Sequence, residues 1–230
     1  MTLAAPVSTP PLIEGDSLTS DEFLRRWEEM PDVRRAELID GIVYMPSPVS
    51  LGHANYESFL NAWFSMYAIS TPGCRPAMEG TWLMDEGQTP QPDVVLLILP
   101  EYGGQSGTVG DSLAGYFTGA PELIAEVAVT SYSRDFGTKK RLYERMGVRE
   151  YLIAVPREKK LVSLRLTSTG FQPMAPAADG VFRSACFPGL WLDTASLWTL
   201  DLQQMNAVLQ RGLATPEHAE FVAQLASRKR

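Results

Sequence analysis

Cysteine is scarce in this 230-residue chain: Cys74 and Cys186 are its only two, far apart and in no metal-ligand spacing. A disulfide framework and a zinc site are both excluded on that count, and a reducing compartment fits. No segment reaches the ~18 consecutive apolar residues that a bilayer crossing needs. The opening MTLAAPVSTPPLIEGD has neither a basic start nor a continuous apolar stretch, so the chain reads as cytoplasmic, with no membrane partner. Internal repeats are lacking, which removes solenoids and propellers. Also missing are a serine–histidine nucleophile motif, a phosphate loop and a GxGxxG turn, since Gly103-Gly104 and Gly107 do not open a helix after a strand. A basic excess is absent too: the net charge is -7, against an indiscriminate nucleic-acid binder.

What is present is enough apolar material for a core, 45% of residues, at a length that suits one large domain. The acidic average hides an asymmetry. Between Ser131 and Arg165 ten basic residues face four acids, so that window carries +6 and the remainder -13. Such a run is a solvated face unless chemistry lies beside it.

Residues 1–17, rich in Pro, Ser and Thr, read as a flexible arm. Thr19-Ser20-Asp21-Glu22 is a capping-box pattern that opens a helix towards Met30. Asp40-Gly41 between short apolar runs predicts a hairpin over 35–45. From 52 to 69, Tyr56, Phe59, Leu60, Trp63 and Tyr67 recur at helical spacing. Extended segments follow over 74–84 and 92–99, the latter apolar on both faces as a central strand requires. A glycine-rich loop over 101–119, a second doubly apolar strand over 122–129 and a helix over 135–146 ended by Gly147 come next. Strands are predicted over 151–155 and 161–166. Helices over 195–209 and 216–227 form a C-terminal extension (194–230) packed on the main domain (18–193).

Two acids stand where strands least want them. Asp93 opens the run Val94–Leu99, and Glu126 lies inside Leu123–Val129. A carboxylate in a central strand costs several kcal/mol unless paired or bound to a cation; a strand-end salt bridge or cap is the alternative use. On a wheel of ~100° per residue with Phe136 at 0°, Tyr143, Met146 and Leu142 fall at roughly 340°, 280° and 240°, and Lys139 at roughly 300°. Lys139 therefore points inward, thirteen residues after an inward glutamate, whereas Lys140 and Arg141 fall outside that face. Snorkelling is the plainer account of one such lysine.

Pro92-Asp93, then Glu126-Val127-Ala128, with a lysine on the next helix, resembles the PD-(D/E)XK nuclease superfamily in the variant whose lysine has migrated from the strand. More narrowly, Glu37-Leu38-Ile39-Asp40-Gly41, His53, Pro92-Asp93, Glu126-Val127, Asp135 with Lys139, Tyr143 and Gly147-Val148-Arg149-Glu150-Tyr151 resemble the Uma-type restriction endonuclease family, over about Glu37 to Trp191. Ala128 departs from the pattern, standing where the superfamily's lysine usually does.

The resemblance implies an α/β restriction-endonuclease-like core, a central mixed sheet flanked by helices, and a metal-dependent endonuclease hydrolysing DNA. It makes Asp93, Glu126 and Lys139 the catalytic set, with Asp93 and Glu126 holding Mg²⁺ or Mn²⁺. Lys139 would orient the water or stabilise charge on the phosphate oxygens. Glu37, His53 and Asp135 are accessory candidates, although a hairpin acid, a core histidine and a helix N-cap are the structural uses of those residue types. Arg134, Lys140 and Arg141 are candidate nucleic-acid contacts. DNA is the implied partner, and a homodimer is compatible. The rival readings are a binding protein that keeps the fold without catalysis and a metal-dependent hydrolase of a small substrate.

Overall fold

The computed structural model of the chain describes residues 9–46, 48–129, 131–175 and 177–229. Its strands are β1 (Glu37–Ile39), β2 (Ile42–Tyr44), β3 (Cys74–Met78), β4 (Trp82–Leu83), β5 (Val94–Ile98), β6 (Gly107–Val109), β7 (Tyr116–Thr118), β8 (Leu123–Val127), β9 (Glu150–Val155), β10 (Lys160–Thr167), β11 (Gly170–Pro173), β12 (Val181–Arg183) and β13 (Trp191–Asp193). The helices are α1 (Ser20–Glu28), α2 (Leu51–Ile69), α3 (Lys139–Met146), α4 (Thr194–Thr199), α5 (Leu202–Leu213) and α6 (Pro216–Arg228).

Six strands form the central sheet in the order β11-β10-β9-β8-β5-β3. Only β8 and β9 run parallel, so the sheet is mixed. Because side chains alternate along a strand, β5 and β8 feed two separate cores. Val94, Leu96, Ile98, Leu123, Ala125 and Val127 meet α2 and the C-terminal helices, where Trp63, Leu197, Met205, Leu209 and Leu225 are buried. Val95, Leu97, Ile124 and Ala128 meet Leu142 and Tyr143 of α3, beside Trp82, whose ring stacks on Phe117 at 4.5 Å. Each large apolar side chain so buried contributes about 1.5–3 kcal/mol, which is why the strands read as apolar on both faces. Residues 194–229 thus complete the main core.

The local signals act as their chemistry predicts. Thr19 Oγ1 accepts from Glu22 N at 3.3 Å to cap α1. Asp40 (φ 52°) and Gly41 (φ 74°) form the left-handed pair that turns β1 into β2. Gly147 closes α3 at φ 84°, a conformation that favours glycine.

Four differences matter. The arm, read as flexible through residue 17, is docked from Leu12, which is buried, and Val43 N donates to Asp16 O at 2.8 Å beside the hairpin; residues 1–8 of that arm lie outside the described ones. The glycine-rich loop carries β6 and β7 paired antiparallel, too short to show a period. Three short strands, β11, β12 and β13, stand where the sequence predicts none. The predicted helix over 195–209 breaks at Leu200, at φ 56°, and Asp201 caps the new start through Gln203 N and Gln204 N. Among the described residues, no helix is long and apolar enough to cross a membrane.

Candidate active site

The register of β5 on β8 pairs Val94 with Ala125 and Val95 with Ile124. One rung further along, the antiparallel ladder sets Asp93 opposite Glu126, on the face covered by α3. Directly opposed positions bring Cβ atoms to about 4.5–5.5 Å. Both residues are buried, and Val127 N donates to Asp93 Oδ2 at 2.8 Å, turning that carboxylate toward β8.

Lys139 enters from above. It follows a π-helical turn, Arg134–Thr138, and its own N–H bonds Arg134 O, five residues back. Such turns are rare and concentrate at functional sites. Lys139 Nζ lies 3.0 Å from Glu126 Oε1 and 3.0 Å from Glu37 Oε1. Gln91 N fixes Glu37 Oε1 at 2.9 Å and the Tyr143 hydroxyl donates to Glu126 Oε1 at 2.8 Å. Lys139 is buried, Lys140 half-buried and Arg141 exposed. Phe136 is only half-buried and stacks on Tyr132 at 4.2 Å, because the wide turn puts the ideal wheel out of phase before residue 139.

Asp135 is not an N-cap. Its Oδ2 accepts from the Ser131 hydroxyl, its Oδ1 is sealed from solvent without a hydrogen-bond partner, and its carbonyl accepts from the Tyr151 hydroxyl at 3.1 Å. Burial, with Asp93 and Glu37 adding to it, pushes its carboxyl up to about 6 against the pull of Lys139 and Ser131.

Two neighbours, Arg35 and Glu57, escape the sequence reading. Arg35 lies 3.5 Å from Asp93 Oδ1 and binds Glu79 at 2.8 Å. Glu57, buried one turn after His53 on α2, lies with its Oε2 3.8 Å from His53 Nε2. Glu57 did carry a signal: it stands three residues before Leu60 and seven before Phe64, on the buried stripe of its helix. His53 faces the site, with Nε2 3.3 Å from Asp93 Oδ1. His218 is the core histidine, between the Thr71 hydroxyl and Leu213 O at 2.9 Å each.

Arg35, Glu37, His53, Asp93, Glu126, Arg134 and Lys139 line a cavity of about 100 Å³. Larger ones, such as that of about 140 Å³ beside Leu161 and Val181 and that of about 350 Å³ beside Arg149 and Arg228, gather no comparable set of buried carboxylates, so chemistry singles out this one. Five buried carboxylates, Glu37, Glu57, Asp93, Glu126 and Asp135, compete here for Lys139, Arg35 and His53. Burial pushes Glu126 well above the carboxylate range, Asp93, Asp135 and Glu37 pushing the same way against Lys139. Glu57 rises to about 7, by burial first and then by Asp93 and Glu79. Burial opposes ionisation of Asp93 as well, but His53, Lys139 and the Val127 amide outweigh it and hold that acid at about 2. Burial likewise works against a charged Lys139, and the surrounding carboxylates reverse it, so the ammonium is retained. The donor set is oxygen-rich, in negative excess, and contains sealed partnerless atoms at Glu57 Oε1, His53 Nε2 and Asp135 Oδ1. A hard divalent cation fits such a set.

A mixed sheet with helices on both faces and this pocket at one end of its central strands is a restriction-endonuclease-like fold. The chain shares it with the crystal structure of a putative nuclease belonging to DUF820 from Anabaena variabilis, with TM-score 0.59 and 16% identity over 76% of this chain and 97% of that one. The chain belongs to the Uma2 family, described as "putative restriction endonuclease", whose sequence model matches residues 20–195. Among curated proteins, none matches.

Proposed function

We propose that this pocket hydrolyses phosphodiester bonds in DNA with the help of a divalent cation, Mg²⁺ or Mn²⁺, held by Asp93 and Glu126. The observation that carries the reading is Lys139 Nζ, 3.0 Å from Glu126 and buried among carboxylates at the meeting of β5 and β8. That ammonium restores from α3 the cation missing at Ala128. Family membership and the nuclease-like fold support the same chemistry.

The cation would supply Lewis acidity toward a phosphate oxygen and ease deprotonation of water. The chain's own residues do the rest. Lys139 stays charged and presents a preorganised positive group to developing negative charge on the phosphate. Glu37 and the Tyr143 hydroxyl hold Lys139 and Glu126 in place, so reorganisation is small. Arg134, in the wall of the cavity, and Lys140 and Arg141 beyond it offer phosphate contacts.

A plasmid-nicking assay with Mg²⁺ or Mn²⁺, repeated in excess chelator, tests the reading. Cleavage should require the cation and fail in Lys139→Ala. DNA or protein binding without cleavage under any cation would point instead to the non-catalytic role that the net charge of -7 favours.

A further inference from the structure

Helix α2 begins at Ser50, whose side chain accepts from His53 N at 3.2 Å. That cap fixes His53 in the first turn and Glu57 one turn later on the same side. The entry to β5 brings Asp93 against them. One ligand atom each of His53, Glu57 and Asp93 falls within 4.8 Å of the other two. Two ligands on opposite sides of one ion lie about 4.2–4.4 Å apart at ordinary bond lengths, so adjustments of a few tenths of an ångström would close the set.

The cluster is also unfinished. Glu57 is buried, and its Oε1 is sealed from solvent with no hydrogen-bond partner. His53 Nε2 is sealed as well and meets Asp93 Oδ1 at 3.3 Å as an ion-pair contact, longer than an ordinary hydrogen bond. Buried polar atoms left so cost free energy, on the order of 1–3 kcal/mol each, unless a ligand completes them. The charged groups facing the cluster are Arg35, 3.5 Å from Asp93, Glu79, which Arg35 already binds, and, across Asp93, Lys139 and Glu126.

We propose that His53, Glu57 and Asp93 form a second cation subsite, which takes a first-row transition divalent ion such as Mn²⁺ in preference to Mg²⁺. The proposal deepens the nuclease reading, with which it shares Asp93. An imidazole nitrogen is what separates the two ions: Mg²⁺ prefers oxygen ligands and keeps its waters, whereas transition ions gain from nitrogen. Asp93, between the two seats, would serve both.

Pulsed EPR of the wild-type protein with one equivalent of Mn²⁺ is the direct test. The chain has two histidines, and His218 has both ring nitrogens engaged, so nitrogen coupling to Mn²⁺ reports His53. The expected result is ¹⁴N modulation that His53→Asn abolishes and Glu57→Gln preserves, with Mn²⁺ affinity falling at least about tenfold in each variant. Mg²⁺ should compete at least about tenfold more weakly than Mn²⁺ in wild type, and that gap should narrow in His53→Asn. Bound Mn²⁺ without nitrogen coupling, coupling that survives His53→Asn, or no bound Mn²⁺ overturns the subsite, and the wild-type spectrum alone needs no variant to fold. The two readings fail separately. Uncoupled Mn²⁺ that Glu126→Gln releases removes the subsite and keeps the Asp93–Glu126 seat. Coupled Mn²⁺ indifferent to Glu126→Gln, in a protein that cleaves no DNA, keeps the subsite and removes the nuclease reading.

Discussion

The two ends of the central strands both bury acids, and they bury them differently. At the end where β8 and β9 begin, Glu122 accepts from Ile98 N at 2.8 Å and Gln105 N at 3.1 Å. Beside it Glu150 accepts from the Ser184 hydroxyl, Ala185 N at 3.1 Å and Cys186 Sγ at 3.0 Å. Burial raises both carboxyls, yet their partners are chiefly neutral donors that tie loops to the sheet. At the other end Asp93, Glu126, Glu37 and Asp135 surround one ammonium, and polar atoms are left without partners. A raised pKa therefore marks neither end as functional. Saturation by fixed donors marks structure, and a shortage of positive charge around convergent oxygens marks a place for a ligand.

Breaking that contrast should give its largest effect at Lys139. If DNA is cleaved, Lys139→Ala should slow single-turnover cleavage by about 10²-fold or more, the scale for one preorganised charge stabiliser. A wild-type rate would end the migrated-lysine account, since Ala128 cannot substitute.

Stability should move the opposite way between the ends. Glu122→Ala orphans the buried Ile98 N–H, releases that of Gln105 and should cost about 1–3 kcal/mol in urea unfolding. Glu126→Gln removes charge from a crowded site and should leave stability within about 1 kcal/mol of wild type or raise it, whereas Asp93, which its partners hold ionised, is the exception at this end. Equal destabilisation at both ends would dissolve the distinction.

A smaller effect should follow pH. Glu57 is raised in the fold from 4.5 to about 7, so its contribution is fully present below 4.5 and is lost as pH rises through 7. Thermal melts from pH 5 to 8 should show wild type losing more stability than Glu57→Gln, with saturating Mn²⁺ reducing the gap. Parallel curves would show that Glu57 ionises as freely folded as unfolded.

The smallest effect belongs to Lys140, half-buried where Lys139 is buried. Lys140→Ala should leave single-turnover cleavage within about threefold of wild type and flatten the salt dependence of DNA binding by about one unit of slope. A collapse in rate would mean that the two lysines are not divided between chemistry and binding.

Much of this was legible in the chain, for particular reasons. Asp93 and Glu126 stood out because each interrupts a strand apolar on both faces, and Lys139 because it interrupts a helix stripe. Their meeting needed the β5–β8 register, which is a tertiary fact. The π-helical turn before Lys139 leaves no trace in composition, so an ideal wheel places Phe136 too deep and Asp135 reads as a helix cap. Arg35 was invisible because its contacts lie 44 and 58 residues away, at Glu79 and Asp93. Strands of three residues, such as β6 and β12, are too short for a period to show.

The central claim is that Asp93 and Glu126 face a cation and Glu122 does not. Calorimetric titration of Mn²⁺ into wild type, Asp93→Asn, Glu126→Gln and Glu122→Gln compares them directly. The account predicts that the first two substitutions each weaken binding by about tenfold or more, while Glu122→Gln binds as wild type does. Mn²⁺ affinity unchanged by both Asp93→Asn and Glu126→Gln would contradict it.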